Sequence, residues 1–171
     1  MADDARVPLP GSLSIGRSCF ACGPDSPHGL HVPYEQVGGA VEAVFTLGAE
    51  FSGAPAFVHG GVVMTVLDEG MAWAAIALRH RFAVTTEFTS RFRRPVLVGR
   101  QHSLRATCSE PAADGRTLQV EGSIHREDGK VCAEATGAYY AMTVEETAAS
   151  VGLPELPAEM LATFGRAAGT P

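Results

Sequence analysis

The run His59-Gly60-Gly61 is followed, nine residues after the histidine, by Asp68. Two glycines at the start of a helix let another molecule approach the backbone closely, because no Cβ stands in the way. The first N–H groups of a helix have no internal partner and sit at the positive end of its dipole. Such groups suit a carbonyl oxygen that gains negative charge as its carbon is attacked. Asp68 offers a carboxylate that can act as a base or as a nucleophile. His59, just before the helix, is placed either to hold the loop or to contact a bound molecule.

These residues need a helix. The spacing predicts one over Gly61 to Arg79, carrying Val62, Val63, Met64, Val66, Leu67, Met71, Trp73, Ile76 and Leu78. It is apolar nearly all round, which marks a buried helix. Its only charges before Arg79 are Asp68 and Glu69. A charge on a buried helix is expensive unless it is paired or used. The two acids point about 100° apart, so at most one faces a given pocket. Asp68 shares a stripe with Gly60, Gly61, Met64 and Met71, and Glu69 is read as structural. Gly60 and Asp68 are eight residues, or about 12 Å, apart along one helix. A carbon within about 3.5 Å of an attacking group on Asp68 cannot carry an oxygen that bonds the same chain's Gly60 N–H. If both act on one carbonyl, they come from different subunits, and the site lies at a dimer interface.

Around the helix the pattern has period two. Leu30 to Gln36 and Val41 to Leu47 precede it, joined by Gly38-Gly39. Ala83 to Phe92, Gln101 to Glu110, Leu118 to Arg126 and Val131 to Thr143 follow it, with turns at 112–115 and 127–129. An antiparallel sheet that buries one face needs a cover, and one central helix wrapped by a curved sheet supplies it. The expected class is α+β. Residues 1–18 read as a flexible leader, 19–143 as the domain, and 144–171 as a tail with a short helix near Glu155 to Phe164.

The composition sets limits. The chain has 171 residues, 46% hydrophobic and 19% charged, with a net charge of −6. That balance supports a real core and argues against nucleic acid as the main partner. No run of 18 apolar residues lacks a charge, so no membrane span is expected. The first residues lack a basic start and an apolar run, so the expected location is cytoplasmic. Cys19 and Cys22 form a lone CxxC. Zinc needs about four ligands, and His28 and His31 could complete a set, but the spacing is not that of a common finger. The expectation is two reduced thiols at a turn, with no metal and no cofactor.

The run HGGVVMTVLDEGMAWAA resembles the helix signature of the hotdog superfamily, specifically the PaaI-type acyl-CoA thioesterases. Residues 19–30 (CFACGPDSPHGL) resemble an N-terminal segment of many such proteins, and TTEFTSRFRRPVLVG resembles their next strand. The likeness spans about residues 19–143. It implies a hotdog fold, a homodimer or dimer of dimers, and a site between subunits. It implies hydrolysis of an acyl-CoA thioester, with Asp68 as general base or nucleophile and Gly60 N–H polarising the carbonyl. Thr85 matches a Ser/Thr that helps place water or the acid. Family members often carry a polar group six residues before the histidine. Here that position is Gly53, with Ser52 beside it as a weak substitute. Arg91, Arg93 and Arg94 either grip coenzyme A phosphates, which suit guanidinium geometry, or form a solvated face. Gly61 and Ser52 complete the expected substrate contacts. Two other readings stay open: a hotdog hydratase, dehydratase or carrier-protein thioesterase, and a non-catalytic acyl-binding dimer.

Overall fold

The structure is a computed structural model and describes residues 5–9, 17–158 and 160–161. Its strands are β1 (Arg6–Pro8), β2 (Tyr34–Val37), β3 (Ala40–Thr46), β4 (Ser52–Ala54), β5 (Phe57–Val58), β6 (Ala83–Phe92), β7 (Gln101–Cys108), β8 (Thr117–Arg126) and β9 (Val131–Ala141). Helix α1 spans Gly60–Arg79 and α2 spans Val144–Ser150. Seven strands form one antiparallel sheet in the order β1-β2-β3-β7-β8-β9-β6, and β4 pairs only with β5.

Period two decides which face of the sheet meets α1. Along β7, His102, Leu104, Ala106 and Cys108 are buried while the residues between them are exposed. Along β8, Leu118, Val120 and Ile124 repeat that rhythm. These inward residues meet Val63, Val66, Leu67, Met71, Ala74 and Ala75 of α1 in one core. The close approach of helix and sheet depends on small residues. A Cβ on Gly70 would lie 2.7 Å from Leu104 Cδ2, and one on Gly122 would lie 2.8 Å from Met71 Cγ. Tyr34, fully buried, donates its hydroxyl to the α1 carbonyl of Val66 at 2.9 Å. By length and composition α1 resembles a membrane span, yet 56% of that window is buried inside the fold. The sheet therefore supplies the cover that its apolar surface requires.

The expected central helix and the six principal strands are all present, with ends moved by a few residues. The first strand begins at Tyr34 rather than Leu30, because Pro33 removes a ladder donor just before it. Within the expected leader, Arg6–Pro8 pairs with Tyr34–Val37 as an added edge strand. After β9 the chain enters α2, which lies earlier in the tail than the short helix expected near Glu155 to Phe164. Thr143 and Glu146 form a reciprocal capping box at its start, and that S/T-x-x-E signal is legible in the sequence. Of the helix expected near Glu155 to Phe164, only Ala158, Met160 and Leu161 are described as helical. The remainder from residue 162 lies outside the described residues.

Candidate active site

Asp68 sits half-buried in the middle of α1, where the first part of β6 crosses the helix. Its Oδ1 accepts two hydrogen bonds, from Thr85 Oγ1 at 2.8 Å and from Tyr139 OH at 3.0 Å. The Tyr139 hydroxyl also lies 3.3 Å from the Asp68 carbonyl oxygen. Oδ2 takes no hydrogen bond from any described residue. The carboxylate is thus fixed by one oxygen and open at the other. That is the arrangement a base needs to hold a water molecule or a substrate proton.

Two features of the sheet bring these donors to Asp68. Thr85 stands opposite Tyr139 in the β6–β9 ladder, and the register shifts immediately after it, between Thr85 and Glu87. A bulge re-aims side chains where it occurs. Gly137 makes this one possible: a Cβ there would lie 2.7 Å from the Glu87 carbonyl oxygen. Tyr139 is fully buried. Burial first, and then the Asp68 charge, push its phenol well above the ordinary range. It therefore stays a protonated donor. The sequence reading places Thr85 at Asp68 and misses Tyr139, because a tyrosine at an inward strand position reads as core.

The start of α1 is built differently. His59 is the N-cap, and its Nδ1 accepts the Gly61 N–H at 3.0 Å. Of the two open roles for His59, the structure shows the loop-holding one. The ring is exposed, so its other nitrogen remains accessible. The Gly61 N–H is consumed by this cap. The Gly60 N–H has no partner among the described residues. Of the two glycines, Gly60 is therefore the one with a free donor at the positive end of the helix. Gly53 lies against His59, where a Cβ would come within 3.0 Å of His59 Cα and Cδ2. A side chain at Gly53 would be tight against the cap, and His59 would have to give by a few tenths of an ångström. Ser52 is exposed in β4 opposite Val58.

The three arginines divide. Arg93 and Arg94 line a cavity of about 280 Å³ together with Gly60, Phe92 and Val96. Arg93 is paired with Glu134 at 2.5 Å, and Arg94 donates to the Val131 carbonyl at 2.9 Å. Arg91 lies apart from them, on the outer face of the sheet, in a groove with Arg105, Glu121 and Glu134. The structure thus brings two of the three beside the helix start, while Arg91 lines a separate groove that shares Glu134 with Arg93.

Glu69 points away from Asp68. Its Oε1 accepts from Cys22 Sγ at 2.8 Å, Trp73 Nε1 at 3.1 Å and Cys19 Sγ at 3.4 Å. Burial pushes its carboxyl up to about 7. The two adjacent acids meet different partners, as their separation of about 100° around the helix allows.

One long helix enclosed by a curved antiparallel sheet, with an acid at mid-helix and a free amide at the helix start, defines the hotdog class. The family model described as Thioesterase superfamily matches residues 56–133. Over that stretch, the chain is similar to the thioesterase superfamily, in line with the resemblance seen in its sequence. Among solved structures, it is similar to the thioesterase superfamily protein RHA08564, with 28% identity and a TM-score of 0.66 over 72% of this chain and 60% of that one. It is similar to the E. coli PaaI protein from the phenylacetic acid degradation operon, with 20% identity and a TM-score of 0.60 over 67% of this chain and 81% of that one. It is also similar to smu.793 from Streptococcus mutans UA159, solved bound to acetyl CoA, with 18% identity and a TM-score of 0.56 over 61% of this chain and 82% of that one. The chain thus spans 60% of the length of the first of these relatives. No curated protein matches it.

Proposed function

We propose that the protein is a PaaI-type thioesterase that hydrolyses an acyl-CoA to the free acid and coenzyme A. The observation that carries this reading is the pairing of two incomplete devices on one helix. Asp68 has an anchored Oδ1 and an open Oδ2, and Gly60 has an open N–H eight residues earlier. Each lacks what the other supplies, and the helix keeps them about 12 Å apart. A second copy of the chain brings them together at one thioester.

In that dimer the carbonyl oxygen sits on the N–H of the partner subunit's Gly60. Asp68 Oδ2 takes a proton from water as the water oxygen bonds to the acyl carbon. The tetrahedral adduct then collapses, the C–S bond breaks, and the sulfur leaves with a proton as the coenzyme A thiol. The surface available for dimerisation supports this. β6 is an edge strand of ten residues, and an unpaired edge invites another chain. Val84, Phe92, Met64 and Phe57 are exposed on β6, at the start of α1 and on β5. The acetyl CoA bound to the Streptococcus mutans protein supports coenzyme A as the carrier. Arg93 and Arg94, beside Gly60, are placed to meet its phosphates. The four cysteines form no disulfide, which fits a reducing, cytoplasmic setting.

The test is thiol release over a panel of aromatic, short and medium acyl-CoAs, beside an enoyl-CoA hydration assay and a carrier-protein thioester. The expected result is thiol release from acyl-CoA that falls by about 10²–10⁴-fold in Asp68→Asn, with an unchanged circular dichroism spectrum. Near-wild-type turnover in Asp68→Asn removes the proposed role. Tight acyl-CoA binding without thiol release identifies a non-catalytic binding dimer. Hydration alone identifies a hydratase.

A further inference from the structure

The CxxC that the proposed chemistry leaves unused converges on α1 at Glu69. Ligand atoms of Cys19, Cys22 and Glu69 all lie within 4.8 Å of one another. We propose that these three side chains form a binding site for one thiophilic divalent cation of the zinc class, with the fourth tetrahedral position left to water. The site is separate from Asp68, since Glu69 shares none of that residue's hydrogen-bond partners.

The geometry matches what such an ion demands. Zinc takes thiolate sulfur at about 2.3 Å and carboxylate oxygen at about 2.0 Å in a tetrahedron. The corresponding ligand separations are about 3.5 Å for sulfur to oxygen and about 3.8 Å for sulfur to sulfur. The observed sulfur–oxygen separations are 2.8 and 3.4 Å and the two sulfurs lie within 4.8 Å of each other, so the set can close on an ion with side-chain shifts of under about 1 Å. The outer shell is already present. Trp73 Nε1 donates to Glu69 Oε1 at 3.1 Å. Donors of this kind orient metal ligands.

The turn that presents the thiols is fixed as well. The Gly23 N–H bonds the Cys19 carbonyl at 2.9 Å and the Asp25 N–H bonds the Arg17 carbonyl at 2.9 Å. A Cβ on Gly23 would lie 2.4 Å from the Arg17 carbonyl oxygen, so the loop folds too tightly for any larger residue. Charge gives the independent argument. Three acidic side chains meet here, and among the described residues no Lys, Arg or His side chain pairs with Glu69 or with either thiol. Buried acids without a cation are costly to ionise, and a divalent ion removes that cost. Cys19 is only partly buried, and Cys22 lines a cavity of about 400 Å³ with Pro24, His31 and Tyr34. An ion and its water have a way in.

The experiment uses the full chain, stripped with a chelator under a non-thiol reductant and then supplied with Zn²⁺ or Co²⁺. Expected are one zinc per chain after gel filtration and a thiolate-to-cobalt charge-transfer band. Zinc protects Cys19 and Cys22 from iodoacetamide, read peptide by peptide, while the buried Cys108 and Cys132 serve as internal controls. Cys22→Ser and Glu69→Gln abolish the stoichiometric zinc, and Trp73→Phe, which keeps all three ligands, weakens it by about 10–100-fold. Alkylation of Cys19 and Cys22 at the same rate with and without zinc, or no cobalt band in the wild-type chain, overturns the proposal. Equal zinc content in Cys22→Ser and Glu69→Gln does the same. The wild-type measurements decide the matter even if a variant fails to fold.

Discussion

Replacing Gly60 by proline removes one hydrogen from the molecule that the proposed reaction depends on, and the fold is prepared to accept it. Gly60 is the first residue of α1 after the His59 cap, and proline is favoured at that position because its missing N–H would be orphaned anyway. His59 has φ −58 and ψ 136, the extended conformation that a residue before proline requires. A Cβ at Gly60 meets nothing nearer than Phe92 Cζ at 3.7 Å. Gly60→Pro should therefore leave stability unchanged or raised by about 0.4–1 kcal/mol. Loss of one oxyanion donor should lower kcat by about 10²–10³-fold, while Gly60→Ala, which keeps the N–H, should stay close to wild type. The two-chain geometry adds a sharper expectation. Mixing Gly60→Pro with Asp68→Asn chains and allowing exchange gives heterodimers in which one site has both changes and the other has neither. Random pairing makes about half of the dimers mixed, so about 25% of wild-type activity should return. The assay is thiol release before and after mixing, with melting curves as the stability control. Gly60→Pro turning over within threefold of Gly60→Ala refutes the amide's role. A mixture as inactive as its parents refutes the shared site.

Other expectations follow from single contacts. Thr85→Ala and Tyr139→Phe each remove one donor from Asp68 Oδ1, a charge-assisted bond worth about 1.5–3 kcal/mol. Each should lower kcat by about tenfold with KM little changed, and because they share one oxygen the double variant should depart from additivity, measured by steady-state kinetics. Gly122→Val pushes a side chain into Met71 and should destabilise by about 1–3 kcal/mol, read in thermal melts, whereas Gly39→Ala, with nothing within 4 Å, should be silent. Asp114 is held down at about 2 by the Thr117 hydroxyl and by the N–H groups of Thr117 and Arg116. Its folded value lies below its ordinary 3.8, so its stabilising effect is complete above that pH and fades as the pH falls through about 2. The difference in melting temperature between wild type and Asp114→Ala should shrink over that window.

The fold was legible because its two periods are clean. A helix apolar on all sides announces that a sheet must surround it, and β7 and β8 alternate without interruption. The site was legible where it depends on chain-local geometry. The eight-residue separation of Gly60 and Asp68 survives intact, since both lie on one unbroken α1. It was not legible where long-range contacts decide. Tyr139 reaches Asp68 across 71 positions of sequence, and the bulge after Thr85 depends on the glycine facing it from β9. The arginines show the same limit. Arg91, Arg93 and Arg94 are near neighbours in sequence, yet strand alternation sends Arg91 outward and the turn after β6 carries the other two to Gly60.

The adjacency of Asp68 and Glu69 joins the two halves of this reading. Side chains about 100° apart on a helix can meet different surroundings while sharing one backbone segment. Asp68 is fixed from the sheet side by Thr85 and Tyr139, and Glu69 is fixed by Cys19 and Cys22 of the N-terminal segment and by Trp73 one turn along α1. The turn at residues 19–23 is thereby fastened to the same point of α1 that carries the proposed base. Loosening that turn removes one of the contacts that set the orientation of this part of α1, on which the bonds from Thr85 and Tyr139 to Asp68 depend. The CxxC segment therefore supports the proposed chemistry through the helix, without touching the substrate. Changes at Cys22 should then lower kcat through the position of Asp68 while leaving KM nearly unchanged.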